Sequence, residues 1–580
     1  MQKLLLLILV CLSTAKLCVC TANVSVQPKD SLPSFGPPLD IPLYLSGNFA
    51  ELRRNHFHTG IDIKTQGVEG QNVLAAEDGT ISRINVSPWG YGLALYIDHP
   101  NGYTTVYGHL QSYSAKIEAA VRKQQYLDKS FSVDFTPDSP IQVKRGEIVA
   151  KSGNSGGSGG PHLHFEIRKT DNERPQNPLL FGFDIKDDIA PRIRGVRFHP
   201  LADTTLINNK HEAQSFVVNG NAGKYHLNAG QDVKVYGAFG LSLHTLDFLN
   251  GYPNKCGIYT LALKVDDELI CASRFDELDF STVRNINSYK DYEVYKTNNW
   301  HYHKSFVEPG NKLDIYDFKS ASDGVINETK PGKHQVNYLT TDAYGNESQL
   351  EFEFTTLAKP PVSLPAPEPY DAYFPYGQEN HFEYADEVKI TFPANALYND
   401  LRFQFSRQMQ STDSYSPYYI VQNENIPLQS AFEIKFAWKD IPKKIQDKIL
   451  VQRSDLAGRT SYITGTATAD YYVAESKDFG KFTLVADTTA PNLSARKWST
   501  GGTVTNATEL QFTISDNRSG VKTYNGYLNG EWVLIKYEPK NAMIYLKVGD
   551  SNFQKGKNTL EITLEDACGN ITTNQFEYNY

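Results

Sequence analysis

A mainly β protein built from several domains is the expectation for these 580 residues. Alternation of apolar and polar residues recurs along most of the chain, as in Leu350-Glu351-Phe352-Glu353-Phe354 and Leu560-Glu561-Ile562-Thr563-Leu564, and a period of two puts one face of a strand into a core. Patterns of period 3.6 are scarce. The length, at about 150 residues per domain, predicts roughly four domains. Aromatic residues make up 12% of the chain, too many for a disordered polyelectrolyte. With 57 basic and 66 acidic residues and no run of lysine or arginine, nothing offers a polyphosphate a track, which counts against nucleic acid as a partner.

From the N-terminus, Lys3 precedes an apolar run over residues 4–10, and small residues follow. The run is too short to span a bilayer and reads as a signal peptide over residues 1–22, followed by an extension to 45. Leu17-Cys18-Val19-Cys20 loosely resembles a lipoprotein site, with Val19 where a small residue is usual. No second stretch approaches spanning length, so the expected location is outside the cytoplasm (periplasm, outer membrane or cell surface) without integration into the membrane. Cys256, Cys271 and Cys568 are too few for a disulfide framework. A Cys256–Cys271 bridge and buried free thiols both remain open.

The first predicted domain covers 46–182. Within it, residues 114–129 carry the clearest helical pattern, with Ser114 as a cap and Ile117, Ala120, Val121 and Leu127 along one side. A β region follows over 186–357, then a proline-rich joint over 358–369 that should act as a stiff spacer, a middle β domain over 370–486 and a last β domain over 487–580. An internal repeat links the second and last of these. Gly332 to Asp342 and Gly556 to Asp566 each run through an alternating strand into Asp-Ala-x-Gly-Asn, and Asp187 to Pro191 and Asp487 to Pro491 share Asp-x-x-Ala-Pro. The stretch from Pro191 to Gly332 is much longer than that from Pro491 to Gly556, so the first copy carries an insertion or a second unit.

Six of the 14 histidines, His56, His58, His99, His109, His162 and His164, fall between residues 56 and 164. Such clustering points to a metal or acid–base site. In His58-Thr59-Gly60-Ile61-Asp62 the glycine and isoleucines favour extended backbone, where a spacing of four leaves imidazole and carboxylate on one face. In His162-Leu163-His164-Phe165-Glu166-Ile167 the two histidines share a strand face. Two imidazoles and a carboxylate suit Zn²⁺ and leave a fourth position for water. Spacing alone leaves rivals. A surface His-x-His looks the same, as His301-Tyr302-His303 does, and His56 could share the face of His58. Gly153-Asn154-Ser155-Gly156-Gly157 matches a nucleophile elbow without its strand–turn–helix setting.

Six separated blocks resemble, in order, the lysostaphin-type (LytM-like) zinc metallopeptidases over about 46–180: residues 58–62, 73–79, 90–92, 107–110, 143–146 and 159–166. The resemblance implies an antiparallel β-sheet metallopeptidase fold with a duplicated hybrid motif. It also implies zinc held by His58, Asp62 and His164, and a catalytic pair, His162 and His109. All five positions are filled, unlike those of degenerate relatives that became amidase activators. The implied activity is hydrolysis of peptide cross-links in bacterial peptidoglycan, and the later β domains resemble immunoglobulin-like sandwiches. The alternative is a noncatalytic envelope-binding or hydrolase-regulating protein with envelope partners. Residues 113–140 stand as an insertion that could wall the cleft or cover a sheet edge, and residues from about 186 onward are expected to position the enzyme without entering its chemistry.

Overall fold

The computed structural model describes residues 32–327, 330–364, 366 and 368–580. The expected signal peptide and the first part of the extension lie outside the described residues, as do Pro365 and Pro367 of the joint. Among the described residues the strands form seven sheets, and no helix is long and apolar enough to cross a membrane.

The first sheet is antiparallel throughout. Its strands β1 (Leu45–Gly47), β2 (Ile61–Lys64), β3 (Asn72–Leu74), β4 (Gly79–Val86), β5 (Leu93–Asp98) and β6 (Tyr103–Tyr113) precede a helix, α1 (Ala115–Asp128). β7 (Val133–Phe135), β8 (Gln142–Val143), β9 (Ile148–Ser152), β10 (His162–Lys169) and β11 (Pro175–Gln176) follow. The main path runs β1-β2-β10-β6-β5-β4-β7, with β9 joining β3 to β6. Alternation decides which side of β10 faces the core. Leu163, Phe165 and Ile167 are fully buried in it with Ile61, Ile63 and Tyr107, so His162, His164, Glu166 and Arg168 share the opposite face. Gly60 is required by close approach, since a Cβ there would run into the Phe165 carbonyl oxygen.

The insertion is part helix and part strand. Ser114 stands at the N-cap position of α1, though its hydroxyl makes no capping hydrogen bond, and Lys129 ends the helix in the left-handed region. Ile117, Val121 and Gln125 are its buried residues, whereas Leu127 is 72% exposed. Six residues beyond Val121 is about 240° around a helix, so Leu127 cannot share that face. Gln125 takes the inward place and donates from Nε2 to the Phe131 carbonyl at 2.8 Å. β7 pairs with β4 and extends the sheet past it, which covers that edge.

The unit that follows does more than hold the first at a distance. Its core, built on Val196, Phe198, Leu241, Leu243, Val336 and Tyr338, also takes in Phe49, Ala50, Leu52 and Phe57 from the loop between β1 and β2. Phe57 is fully buried against Phe275 and Tyr289, at ring-centroid distances of 5.6 and 5.8 Å. Lys290 Nζ caps the carbonyls of Arg53 and Arg54 at 2.8 and 2.6 Å. Cys256, Cys271 and Cys568 are buried free thiols, so Cys256 and Cys271 are not bridged.

Residues 372–486 pack two five-stranded sheets and a two-stranded one around a separate core. The last unit pairs two four-stranded sheets over another, and it folds back onto the first. Tyr537 meets Trp89 edge-on at 6.1 Å, Trp532 meets Tyr126 of α1 at 5.3 Å, and Lys540 Nζ donates to Asn154, reaching its Oδ1 at 3.1 Å. Arg122 of α1 pairs with Asp550 at 3.6 Å. The insertion is therefore a bracket between the first and last units.

Because Phe57 fills a core shared by two units, Phe57→Ala should lower stability by about 3–5 kcal/mol, the usual range for a deleted buried phenylalanine. Urea unfolding of the full chain measures this. A loss under about 1 kcal/mol would mean that the loop is merely laid on the second unit.

Candidate metal centre

Strand register builds the centre. Asp62 on β2 lies directly across from His164 on β10, and Gly108 on β6 lies across from His164 on its other side. His58 approaches from the loop preceding β2. His58 Nε2 and His164 Nδ1 are each 3.0 Å from Asp62 Oδ1 and 3.1 Å from one another. Ligand atoms about 2.0–2.1 Å from a tetrahedral zinc stand roughly 3.3 Å apart, so this triangle fits the ion to within a few tenths of an ångström. All three residues are buried. His162 Nε2 lies 3.4 Å from Asp62 Oδ1, and the His109 ring sits 4.8 Å from that of His162 and 5.9 Å from that of His164. All five predicted side chains thus come together. His109 adopts a left-handed backbone (φ 58°), an uncommon conformation for a histidine and one found disproportionately at working sites.

Each ring has one nitrogen committed elsewhere. Nδ1–H donates to the Asn48 carbonyl from His58 (2.7 Å), to the Gly160 carbonyl from His162 (2.8 Å) and to the Ser155 carbonyl from His109 (2.8 Å). His164 is turned the other way, with Nε2–H donating to Glu166 Oε1 at 2.8 Å. These bonds leave His58 Nε2 and His164 Nδ1 as the lone pairs aimed at the triangle, and they leave Nε2 of His109 and His162 free beside it.

Around the triangle runs a polar shell of residues not singled out from the sequence. Glu166, fully buried, accepts from Thr59 Oγ1 and Tyr91 Oη at 2.6 Å each and from Arg168 Nε at 2.7 Å. Burial opposes its ionisation, but Arg168 and His164 outweigh burial and hold the carboxyl far below its usual range. Arg53 Nη2 reaches Asp62 Oδ2 at 3.0 Å and so steers Oδ1 toward the histidines. Asn48, which fixes His58, exchanges two hydrogen bonds with Gly257 of the second unit, at 2.8 and 2.6 Å. Alternation along β10 carried the signal for Glu166 and Arg168, since they share the face of His162 and His164. Asn48 had none, because its partner lies 209 positions away.

The rivals stand apart. His56 is exposed and outside the triangle. His303 is buried against the Tyr289 hydroxyl at 3.1 Å, and burial holds it down at about 3. Ser155 Oγ donates to the Leu110 carbonyl and accepts from the Leu93 N–H, which pins a loop to β5 and β6.

The sequence model of peptidase family M23 matches residues 56–136 and 130–178, and the centre lies within those segments. Residues 56–178 are a peptidase family M23 domain. The M23 domain is 34% identical over 122 residues to the DD-carboxypeptidase/endopeptidase Mpg of Neisseria meningitidis serogroup B, a match covering 21% of this chain and 22% of that protein. It is 32% identical over 103 residues to the murein hydrolase activator EnvC of Escherichia coli K12, covering 17% and 19%. The chain thus spans about a fifth of the length of these relatives. Among solved structures, a zinc-containing peptidase from Vibrio cholerae is 25% identical, covering 27% of this chain and 41% of that one, with a TM-score of 0.20. Residues 371–487 match the model of a Zu5-like domain.

Burial pushes His164 down, but hydrogen bonds to Asp62 and Glu166 more than offset it and hold the ring at about 9. Zinc must displace that proton, so its apparent affinity should climb by roughly tenfold per pH unit toward pH 9 and level off above it. Calorimetry in buffers of different ionisation enthalpy counts the proton, and uptake with no proton released near pH 7 would contradict the assignment. Glu166→Gln keeps the shape and removes the charge. Zinc affinity should then fall about 10–100-fold, the usual cost of losing a carboxylate behind a histidine ligand, and an unchanged zinc dissociation constant would assign Glu166 to packing alone.

Proposed function

We propose that the M23 domain is a zinc-dependent endopeptidase that hydrolyses peptide cross-links of bacterial peptidoglycan, acting outside the cytoplasm where that polymer lies. His58, Asp62 and His164 hold the metal, and His162 and His109 move protons. The supporting observation is the pairing of a compact ligand triangle with two further imidazoles, half-buried and open to the cleft, that the triangle does not need. A scaffold that only binds has no use for that second pair.

When bound, zinc polarises a peptide carbonyl and acidifies water. The chain's own groups do the rest. With Nδ1–H of His162 and His109 donated to backbone carbonyls, Nε2 of each presents its lone pair to the cleft. Burial, reinforced by His164 and His162, holds His109 down at about 3, so its Nε2 stays unprotonated near pH 7. Glu166 and Asn48 keep the ligand rings from turning.

A second reading, a regulator of another hydrolase, is favoured by one feature. The last unit leans on the cleft rim at Trp89 and Asn154, where a partner could shift it.

Alanine at His58, Asp62 or His164 should remove both zinc and activity. Alanine at His162 or His109 should keep near-stoichiometric zinc while kcat falls by roughly 10²–10⁴. Mass spectrometry of muropeptides released from purified peptidoglycan, beside metal analysis of each variant, reads both. A zinc-loaded wild-type chain that cleaves no cross-link would leave the regulatory reading, and zinc lost from His162→Ala but kept in His164→Ala would reverse the roles.

A further inference from the structure

The repeat that links the second and last units brings three aspartates together in each copy. Asp187, Asp247 and Asp342 form one group, and Asp487, Asp516 and Asp566 the other, with a carboxylate oxygen of each residue within 4.8 Å of the others in its group. The positions correspond strand for strand. Asp187 and Asp487 precede the first strand of their units (Arg192–Pro200 and Asn492–Ala495). Asp247 and Asp516 follow the antiparallel neighbours of those strands (Phe239–Leu246 and Glu509–Ser515). Asp342 and Asp566 stand where the first strand of the closing hairpin turns. Asn346 and Asn570 do the same work in both, donating from Nδ2 to the aspartate four residues back (2.7 Å each) and to the carbonyl of Asp187 or Asp487 (3.2 and 3.0 Å).

What distinguishes the first group is carboxylate oxygen left without a partner. Asp247 is 1% exposed, and its Oδ1 has no hydrogen bond; Asp187 Oδ2, also buried, has none either. Backbone N–H groups and Asn346 occupy both oxygens of Asp342. Among the described residues, no lysine, arginine or histidine pairs with any of the three. Three carboxylates at one buried point with no countercharge is an arrangement that an unassisted fold avoids, because each lost hydrogen bond and each facing charge is costly. Burial raises all three carboxyls above their usual range, and the facing carboxylates add to this for Asp187 and Asp247, so ionising the group near pH 7 calls for a positive charge. In the last unit the same design is nearly satisfied within the chain, with only Asp516 Oδ1 unpartnered.

We propose that Asp187, Asp247 and Asp342 bind a hard divalent cation, calcium, at the joint between the M23 domain and the unit behind it. The donors are all oxygen, with no nitrogen or sulfur to favour zinc, and a trio of carboxylates that leaves room for water and carbonyl oxygens suits an ion of six to eight ligands. The place gives the ion a task. Leu249 and Cys256, beside Asp247, and Tyr344, beside Asp342, pack against the core of the M23 domain. A cation there ties two strand ends of the second unit, at Asp247 and Asp342, to the segment that leaves the first, at Asp187.

Calcium titration of the zinc-loaded full chain, with zinc in place to occupy the histidine site, tests this. The wild type should bind one more calcium than Asp247→Asn, and calcium should raise its unfolding midpoint by several degrees while leaving that of Asp247→Asn in place. Terbium supplies a local probe, because the buried Tyr344 phenol lies beside the trio whereas Cys568 holds the matching place in the last unit. Tyrosine-excited terbium emission should vanish in Asp247→Asn and Tyr344→Phe and persist in Asp516→Asn, with Tyr344→Phe still binding calcium. A wild-type chain that takes up no calcium at millimolar concentration, or equal calcium stoichiometry in wild type and Asp247→Asn, would overturn the proposal.

Discussion

The register between β2 and β10 is the constraint on which the centre depends. Asp62 meets His164 because the two residues are cross-strand partners, and Gly108 opposite His164 on the other side keeps that strand close to the His164 ring and Tyr91. A slip of one residue would exchange the faces of β10 and put Leu163 and Phe165 where His162 and His164 stand. Two sets of interactions oppose that slip. Leu163, Phe165 and Ile167 are fully buried on one side, and Glu166 on the other is tied to Thr59, Tyr91 and Arg168. Moving Glu166 would strand a buried charge, which costs more than most packing defects.

The third corner of the triangle is supplied from outside the sheet. His58 lies on a loop, and a loop residue needs an external reference to hold an imidazole in place. The second unit provides it through Phe275, Tyr289, Lys290 and Gly257. Lys290 is fully buried, its Nζ on two carbonyls and 3.6 Å from the centroid of the Tyr295 ring, and burial together with Arg54 and Arg284 pushes it down to about 7. The second unit, which lies beyond residue 186, thus does its positioning at close range, by fixing the loop that carries His58.

The β character, the helix of the insertion and the five polar residues of the cleft were legible because each is written over a few neighbouring positions. Period two marks β10, and His-x-x-x-Asp and His-x-His mark the two halves of the centre. Leu127 was misread because residues grouped by apolarity were assigned to one side without following the turn of the helix. Asn48 and Lys290 were invisible for another reason. Nothing about an asparagine or a lysine alone says that it will bind a backbone more than two hundred residues away. The acidic trios lay between. The repeated Asp-x-x-Ala-Pro and Asp-Ala-x-Gly-Asn segments were visible, but their convergence with Asp247 and Asp516 is a property of the folded sheets.

The loop that carries His58 settles against residues that follow it by more than two hundred positions, and this sets an order of events during synthesis. The strands of the first sheet can pair as soon as β10 and β11 have emerged, for their contacts lie within about 130 residues of one another. The loop cannot settle then, since Phe275, Tyr289 and Lys290 have yet to be made. Closing so long a span is entropically slow, so a nascent chain passes through a stage with a formed sheet, Asp62 and His164 already opposed, and His58 unanchored. Assembly of the full triangle of His58, Asp62 and His164 is then a late event in the life of the molecule, reached only after the body behind it is complete.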